Sequence, residues 1–161
     1  MNPGNLSYLL QHTQAIMYRQ SDQVLQERLG IGMSQFKLLM MLSYEPNVQQ
    51  RTLADNLGQT EASISRQIKL LIERGMLAIT VNPANRREHI ATPTVKGIKI
   101  ADAAQEILDE YHAPVFDQFS EKQLEQMTQM ITKMHEVICG PGKSHACGRA
   151  FGIEAVYDSH H

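Results

Sequence analysis

The apolar positions of this chain change period several times, and each change marks an element. Leu6, Leu9, Leu10, Ile16, Met17, Val24 and Leu25 recur at roughly helical spacing, which predicts one long helix from about Leu6 to Leu29. Gly30 and Gly32 end it, and Ser34 is placed to cap a second helix, Gln35 to Tyr44, which Glu45-Pro46-Asn47 breaks. A short helix, Arg51 to Leu57, stops at Gly58, and another runs from Thr60 to Arg74, where Gly75 stops it. Two short β-prone runs follow, Leu77 to Val81 and His89 to Thr92, with Asn82-Pro83-Ala84-Asn85-Arg86-Arg87 as the tip between them. Thr92 is placed to cap the next helix, with Pro93 at its first position, where a missing N–H costs nothing. Ile98, Ala101, Leu108, Tyr111 and Val115 continue that helix, and Pro114 must kink or end it. Ser120 and Gln123 form a capping box for a last helix striped by Leu124, Met127, Ile131, Met134 and Ile138.

A helix, a tight turn, a second helix and a two-stranded ribbon with arginines at its tip make a winged helix-turn-helix. The expected fold is therefore mainly α with a small β-wing, flanked by one helix before and two after. The chain divides into an N-terminal helix (1–32), the winged region (33–93), C-terminal helices (94–139) and a Gly-rich tail without period (140–161), all within one integrated domain. The tail is expected to be loosely ordered. Stripes on the three outer helices are longer than a small winged head can cover. They could be monomer core, but their projection beyond the head favours a homodimer seam. The chain has no internal repeat.

A length of 161 residues fits one domain with a real core. The richest apolar run, Phe36 to Leu42, is far too short to span a bilayer, so no membrane partner is expected. Met1-Asn2-Pro3-Gly4-Asn5 lacks the basic and apolar regions of a signal peptide. Cys139 and Cys147 make no disulfide framework, and the expected location is cytoplasmic. A net charge of −2 argues by itself against a nucleic-acid partner. Its distribution reverses that argument: from Arg51 to Lys99 eight basic residues face four acidic ones, so a +4 centre sits within a remainder of −6. An enzyme is not expected, because no phosphate-binding Gly loop, nucleophile elbow or paired carboxylates at a defined spacing occur.

The helix after the turn carries the reading chemistry. Ile64, Ile68, Leu71 and Ile72 face inward, leaving Glu61, Ala62, Ser63, Ser65, Arg66 and Lys69 outside. Small residues on the first turn let the helix end enter a major groove, with Ala62, Ser63 and Arg66 at the bases. An Arg66 fork on guanine would give about 1–3 kcal/mol of discrimination. Thr60, Ser65, Lys69 and Arg51 are placed to position phosphates, Thr60 near the positive helix end. At the wing, Arg86 or Arg87 would enter a narrow minor groove, where the potential is most negative. The blander readings are a solvated amphipathic helix and a hairpin charged for solubility. A winged helix used only for protein contacts is the competing function, against which the arginine-tipped ribbon argues.

Leu53-Ala54-Asp55-Asn56-Leu57-Gly58, Ser63-Ile64-Ser65-Arg66, Leu71-Ile72-Glu73-Arg74-Gly75-Met76, Asn85-Arg86-Arg87 and Thr92-Pro93-Thr94-Val95-Lys96-Gly97 together resemble the MarR family of bacterial transcription regulators. The similarity runs from about Met33 to Leu108, and the flanking helices match in order and length. It implies a homodimer on a pseudo-palindromic operator of double-stranded DNA, usually a repressor, often released by a small aromatic or phenolic acid. Three places depart from the family's pattern: Asn82 and Asn85 stand where aspartates are usual, Gln49 and Thr52 replace the usual capping pair, and the tail beyond Cys139 is additional.

Effector pockets in this family tend to lie between the outer helices and the head. By position, His12, Phe36, Met40 and Tyr111 could line one, although plain core is the simpler reading of each. No cofactor is required. A different switch would use His135, Cys139, His145 and Cys147, either as an N2S2 zinc site or as a cysteine redox pair. An inert tail is the alternative.

Overall fold

In a computed structural model, residues 2–45 and 48–139 are described, except for the side chains of Pro3, Arg87, Glu88, His89 and Cys139. The order is α1 (Pro3–Leu29), α2 (Met33–Tyr44), α3 (Gln50–Leu57), α4 (Glu61–Glu73), β1 (Leu77–Asn82), β2 (Asn85–Pro93), α5 (Val95–Phe116) and α6 (Glu121–Cys139). This is the mainly α winged helix-turn-helix that the periodicity predicts, with outer helices on both sides.

Several boundaries move from their predicted places, each for a local reason. Helix α1 starts at Pro3 rather than Leu6, because the Asn2 side chain accepts from the Gly4 N–H at 3.0 Å and Pro3 needs no donor there. Ser34 is not the cap of α2. Gly32 holds that place, Gln35 Oε1 accepts from its N–H, and Asp22 of α1 accepts from the Met33 N–H at 2.8 Å. A carboxylate eleven residues away thus caps α2, a pairing local sequence cannot show. Helix α3 begins one residue early, at Gln50, and Gln49 provides no side-chain cap.

The largest correction concerns the start of α5. Thr92 and Pro93 lie in β2, opposite Ala78 and Leu77, and Thr94 is the cap. Its hydroxyl accepts from the Gly97 N–H (3.1 Å) and donates to the Gly75 carbonyl (2.7 Å). Gly97 itself passes so close to the chain after α4 that a Cβ there would collide with the Met76 carbonyl. Further along, Pro114 lies inside α5, which ends two residues later. The Ser120–Gln123 capping box forms as predicted, with Ser120 N–H donating to Gln123 Oε1 at 2.9 Å.

One apolar cluster joins α1 to α5. Leu25, Ile31, Leu38, Leu39, Leu42, Leu53, Ile64, Leu71 and Leu77 are its largest fully buried side chains, with Ala101, Ala104 and Leu108 closing it from α5. Ser21 bonds His112 across α1 and α5 at 2.9 Å. Lys37 of α2 lies over the Tyr18 ring of α1, 5.0 Å from its centroid. Burial pushes the Lys37 ammonium below its ordinary value and the Tyr18 phenol above its own, with Asp22 raising Tyr18 further.

The predicted stripes split between core and surface. On α1, Val24 and Leu25 are buried, whereas Leu6, Tyr8 and Leu9 are exposed. On α5, Ala101 and Leu108 face the core, but Ile98, Tyr111 and Val115 face out. No described residue of α6 is buried; Val137 and Ile138 are each 78 % exposed. Among the described residues no helix is long and apolar enough to cross a membrane.

Candidate nucleic-acid interface

The turn between α3 and α4 sets the geometry of the site. Gly58 adopts φ 62° in the left-handed region, where its missing Cβ removes the steric cost, and the Gln59 N–H returns to the Ala54 carbonyl at 2.9 Å. Leu53 and Ala54 of α3 and Ile64, Ile68 and Leu71 of α4 are buried, with Ile72 half-buried. That inner face fixes which side chains of α4 point out.

Ala62, Ser65, Arg66 and Lys69 are all exposed on α4, and Glu61 is exposed at its first position. Thr60 caps the helix, its Oγ1 accepting from the Ser63 N–H at 3.1 Å. The positive end of the helix dipole is therefore open at the surface beside these side chains. Ser63 is only half-buried but is engaged: its hydroxyl donates to Gln59 Oε1 (3.0 Å), and Gln59 Nε2 donates to Ser34 Oγ (2.7 Å). This chain of bonds fastens the entry of α4 to α2. Sequence reading misses both Gln59 and the true role of Ser34, since the pair is joined across 25 residues and neither end carries a local signal.

Arg51 is exposed on the first turn of α3. The wing differs from expectation in where its arginines sit. Strand pairing continues to Asn82↔Asn85, so the turn is only Pro83-Ala84. Pairing then jumps from that rung to Val81↔His89, which leaves Arg86, Arg87 and Glu88 as a bulge on β2. The arginines belong to this bulge, not to the loop, and a bulge bends a strand and re-aims its side chains. Arg86 is exposed; the Arg87 side chain lies outside the described residues. Asn82 is buried, and its Oδ1 accepts from the Ala84 N–H at 2.9 Å, an Asx turn that needs an acceptor oxygen but no charge.

Other predicted positions fall elsewhere. Phe36 is 4 % exposed in the core and Met40 packs against it, while His12 stacks on Tyr8 (5.6 Å, 9°) on the outer part of α1. Tyr111 meets the ring of His112 edge-on at 5.4 Å. His135 lies half-buried on α6 and Cys139 ends that helix; His145 and Cys147 lie outside the described residues. Among the described residues no three His, Cys, Asp or Glu converge as metal ligands.

A capped helix with an exposed small-and-basic face, held on a helix-turn-helix and followed by a bulged ribbon, defines a winged helix-turn-helix DNA-binding fold. Residues 29–88 match the MarR family. The curated HTH-type transcriptional repressor Rv2887 of Mycobacterium tuberculosis is 25% identical over 129 residues, covering 80% of this chain and 92% of that protein. A solved structure of Rv2887 with p-aminosalicylic acid superimposes with TM-score 0.68 at 23% identity, covering 80% of this chain and 97% of the other. The MepR–DNA complex of S. aureus aligns with TM-score 0.67 at 27% identity, over 83% and 97% of the two chains.

Proposed function

We propose that this protein is a sequence-specific transcriptional regulator, acting as a homodimeric repressor that a small aromatic acid releases from its operator. The observation that carries the DNA-binding reading is the outer face of α4, where Ala62, Ser65, Arg66 and Lys69 stand exposed beside the Thr60 cap. Arg66 and Ala62 would meet base edges, with Ser63 beside them; Thr60, Ser65, Lys69 and Arg51 would take phosphates. Arg86 or Arg87 would enter the minor groove from the bulge. The MepR–DNA complex supports DNA as partner.

Dimerisation is supported by apolar side chains left exposed on α1, α5 and α6. Two copies would set their α4 helices about 34 Å apart, one turn of B-DNA, so the operator should be pseudo-palindromic. The p-aminosalicylic acid complex of Rv2887 supports an aromatic acid as effector. Such a ligand needs about 5.5 kcal/mol of preference for the released state to move the population from 1:99 to 99:1. Selection of bound duplexes from a random-sequence pool tests this function, followed by titration of the selected DNA with and without salicylate. An inverted-repeat consensus whose affinity falls with salicylate is the expected result; absence of any sequence-selective binding would refute the regulator reading.

A further inference from the structure

Ser63 lies on the first turn of α4, and its polar groups are already engaged. The hydroxyl donates to Gln59 Oε1 at 3.0 Å, and the Ser63 N–H donates to Thr60 Oγ1 at 3.1 Å. Gln59 is held in turn at its other amide atom, where Nε2 donates to Ser34 Oγ of α2 at 2.7 Å. Its backbone is fixed as well, since the Gln59 N–H returns to the Ala54 carbonyl across the Gly58 turn. Gln59 is half-buried and stands before the Thr60 cap, outside α4 itself. Its side chain is therefore already ordered against Ser63 before any DNA arrives.

This arrangement sets the polarity of Ser63. A free serine hydroxyl has one proton to give and lone pairs to offer, so it reads donors and acceptors on base edges alike. Once the proton is committed to Gln59, only the lone pairs remain. In the major groove the groups that donate to them are the exocyclic amines, on adenine and cytosine. Guanine and thymine present acceptors there. A serine that only accepts thus tells adenine from thymine and cytosine from guanine.

The Gln59 bond also resists a change of partner. To meet guanine or thymine, the Ser63 proton would have to leave Gln59 Oε1, and a half-buried acceptor would lose its donor. Ser34 works on the same amide from the other side. By accepting from Nε2 it leaves the amide oxygen for Ser63. The hydroxyl on α2 is thereby linked through one side chain to the first turn of the recognition helix.

We propose that Gln59 is a positioning residue for base reading: it holds the Ser63 hydroxyl proton, so that Ser63 selects adenine or cytosine at the base it touches, and Ser34 keeps the amide in that orientation. The proposal rests on the regulator reading above. Its test uses the full chain and the selected duplex with each base pair replaced in turn, affinities being compared as ratios within one protein. The Ser63 position is the one whose preference Ser63→Ala removes. The parent should favour adenine or cytosine there by about fivefold, the worth of one net hydrogen bond. Gln59→Met takes away the acceptor and should erase that preference. Gln59→Glu keeps an acceptor for the Ser63 proton and should retain it, with weaker binding to every duplex from the added negative charge. Ser34→Ala, outside the proposed DNA contacts, should relax the preference, and it decides the matter if Gln59→Met does not fold. Adding Gln59→Met to Ser63→Ala should alter no base preference further. A Gln59 with a merely structural role would instead weaken all duplexes alike in Gln59→Met, and that result overturns the proposal. So does a parent preference for guanine or thymine at the Ser63 position, a Ser63→Ala variant that changes no single position, or loss of the preference in Gln59→Glu. Failure of the parent to select any DNA refutes the regulator reading and this proposal with it, whereas the base-by-base outcomes overturn the proposal alone.

Discussion

Arg66 stands on the exposed side of α4 with Ala62 one turn before it and Lys69 nearly one turn after. Helical spacing from Ile64, Ile68 and Leu71 places it there, so this residue was legible in the sequence alone. Ala62 and Ser63, one turn before it, are short, which leaves the guanidinium room to approach a base edge along the groove. Arg66→Ala is expected to relax preference at one base pair per half-site by about 1–3 kcal/mol. Binding to duplexes altered one base at a time measures this; an equal loss on selected and random DNA would remove Arg66 from base reading. Arg86 differs because it sits on a bulged strand and not on a groove-filling helix. Arg86→Ala should weaken all sequences alike and flatten the dependence of log K on log salt by up to about 0.9 for each phosphate that is no longer neutralised. Fluorescence anisotropy across a salt series separates the two arginines. Ser63 was less legible: its face is evident from periodicity, but its bond to Gln59 and onward to Ser34 depends on the fold bringing α2 against the turn.

Among the elements, helix and strand identities followed from periodicity, while their ends depended on partners distant in sequence. Thr92-Pro93 and Thr94 are both plausible starts for α5 when read locally. Pairing of Pro93 with Leu77 keeps the first pair in the wing, and the Thr94 hydroxyl, bonded on both sides, becomes the cap. The wing turn shows the same limit. Asn82 and Asn85 resemble loop residues in the sequence, yet both belong to strands, and Asn82 holds the turn through its own amide oxygen. The departure from the family's aspartate therefore keeps the acceptor and drops only the charge. The contact of α5 with the link between α4 and β1 yields a sharper prediction. A methyl at Gly97 meets the Met76 carbonyl, a backbone atom that cannot rotate away, and the same stretch carries the Thr94 N–H bond to Met76 (3.0 Å). Gly97→Ala should thus destabilise the chain by about 1–3 kcal/mol, the range for inserting a methyl into a packed contact. Denaturant midpoints at unchanged m-value would measure it, and a midpoint equal to the parent's would show that the two segments separate without cost.

For the molecule as a whole, the unpartnered feature is α6 with the outer ends of α1 and α5. Met130 (60 %) and Ile131 (51 %), with Met134, Val137 and Ile138, repeat at helical spacing and remain exposed, which is unusual for large apolar side chains arranged in a stripe. A monomer would leave this stripe in water, whereas a second copy can cover it by the same residues in reverse, as two-fold symmetry requires. Periodicity made Ile131, Met134 and Ile138 of this stripe legible, with Met130 and Val137 missed, but it could not say whether they faced the core, because Ala101 and Leu108 of α5 carry the same pattern and do. Placing one charge in the seam tests the distinction. Ile131→Asp would bury two carboxylates near the symmetry axis, an arrangement that dissociates the dimer, while the head keeps its own core of Leu38, Leu53, Ile64 and Leu71. Sedimentation should then report a monomer that retains most of its helical circular dichroism. A single head neutralises half as many phosphates, so its salt slope on the selected duplex should fall to about half of the parent's, together with a large drop in affinity. A variant that stays dimeric with an undiminished slope would place the dimer contact elsewhere. An unfolded variant would mean that the outer helices sustain the head itself, and Met130→Lys, at the most exposed of the stripe's methionines, would then supply the milder charge with which to repeat the measurement.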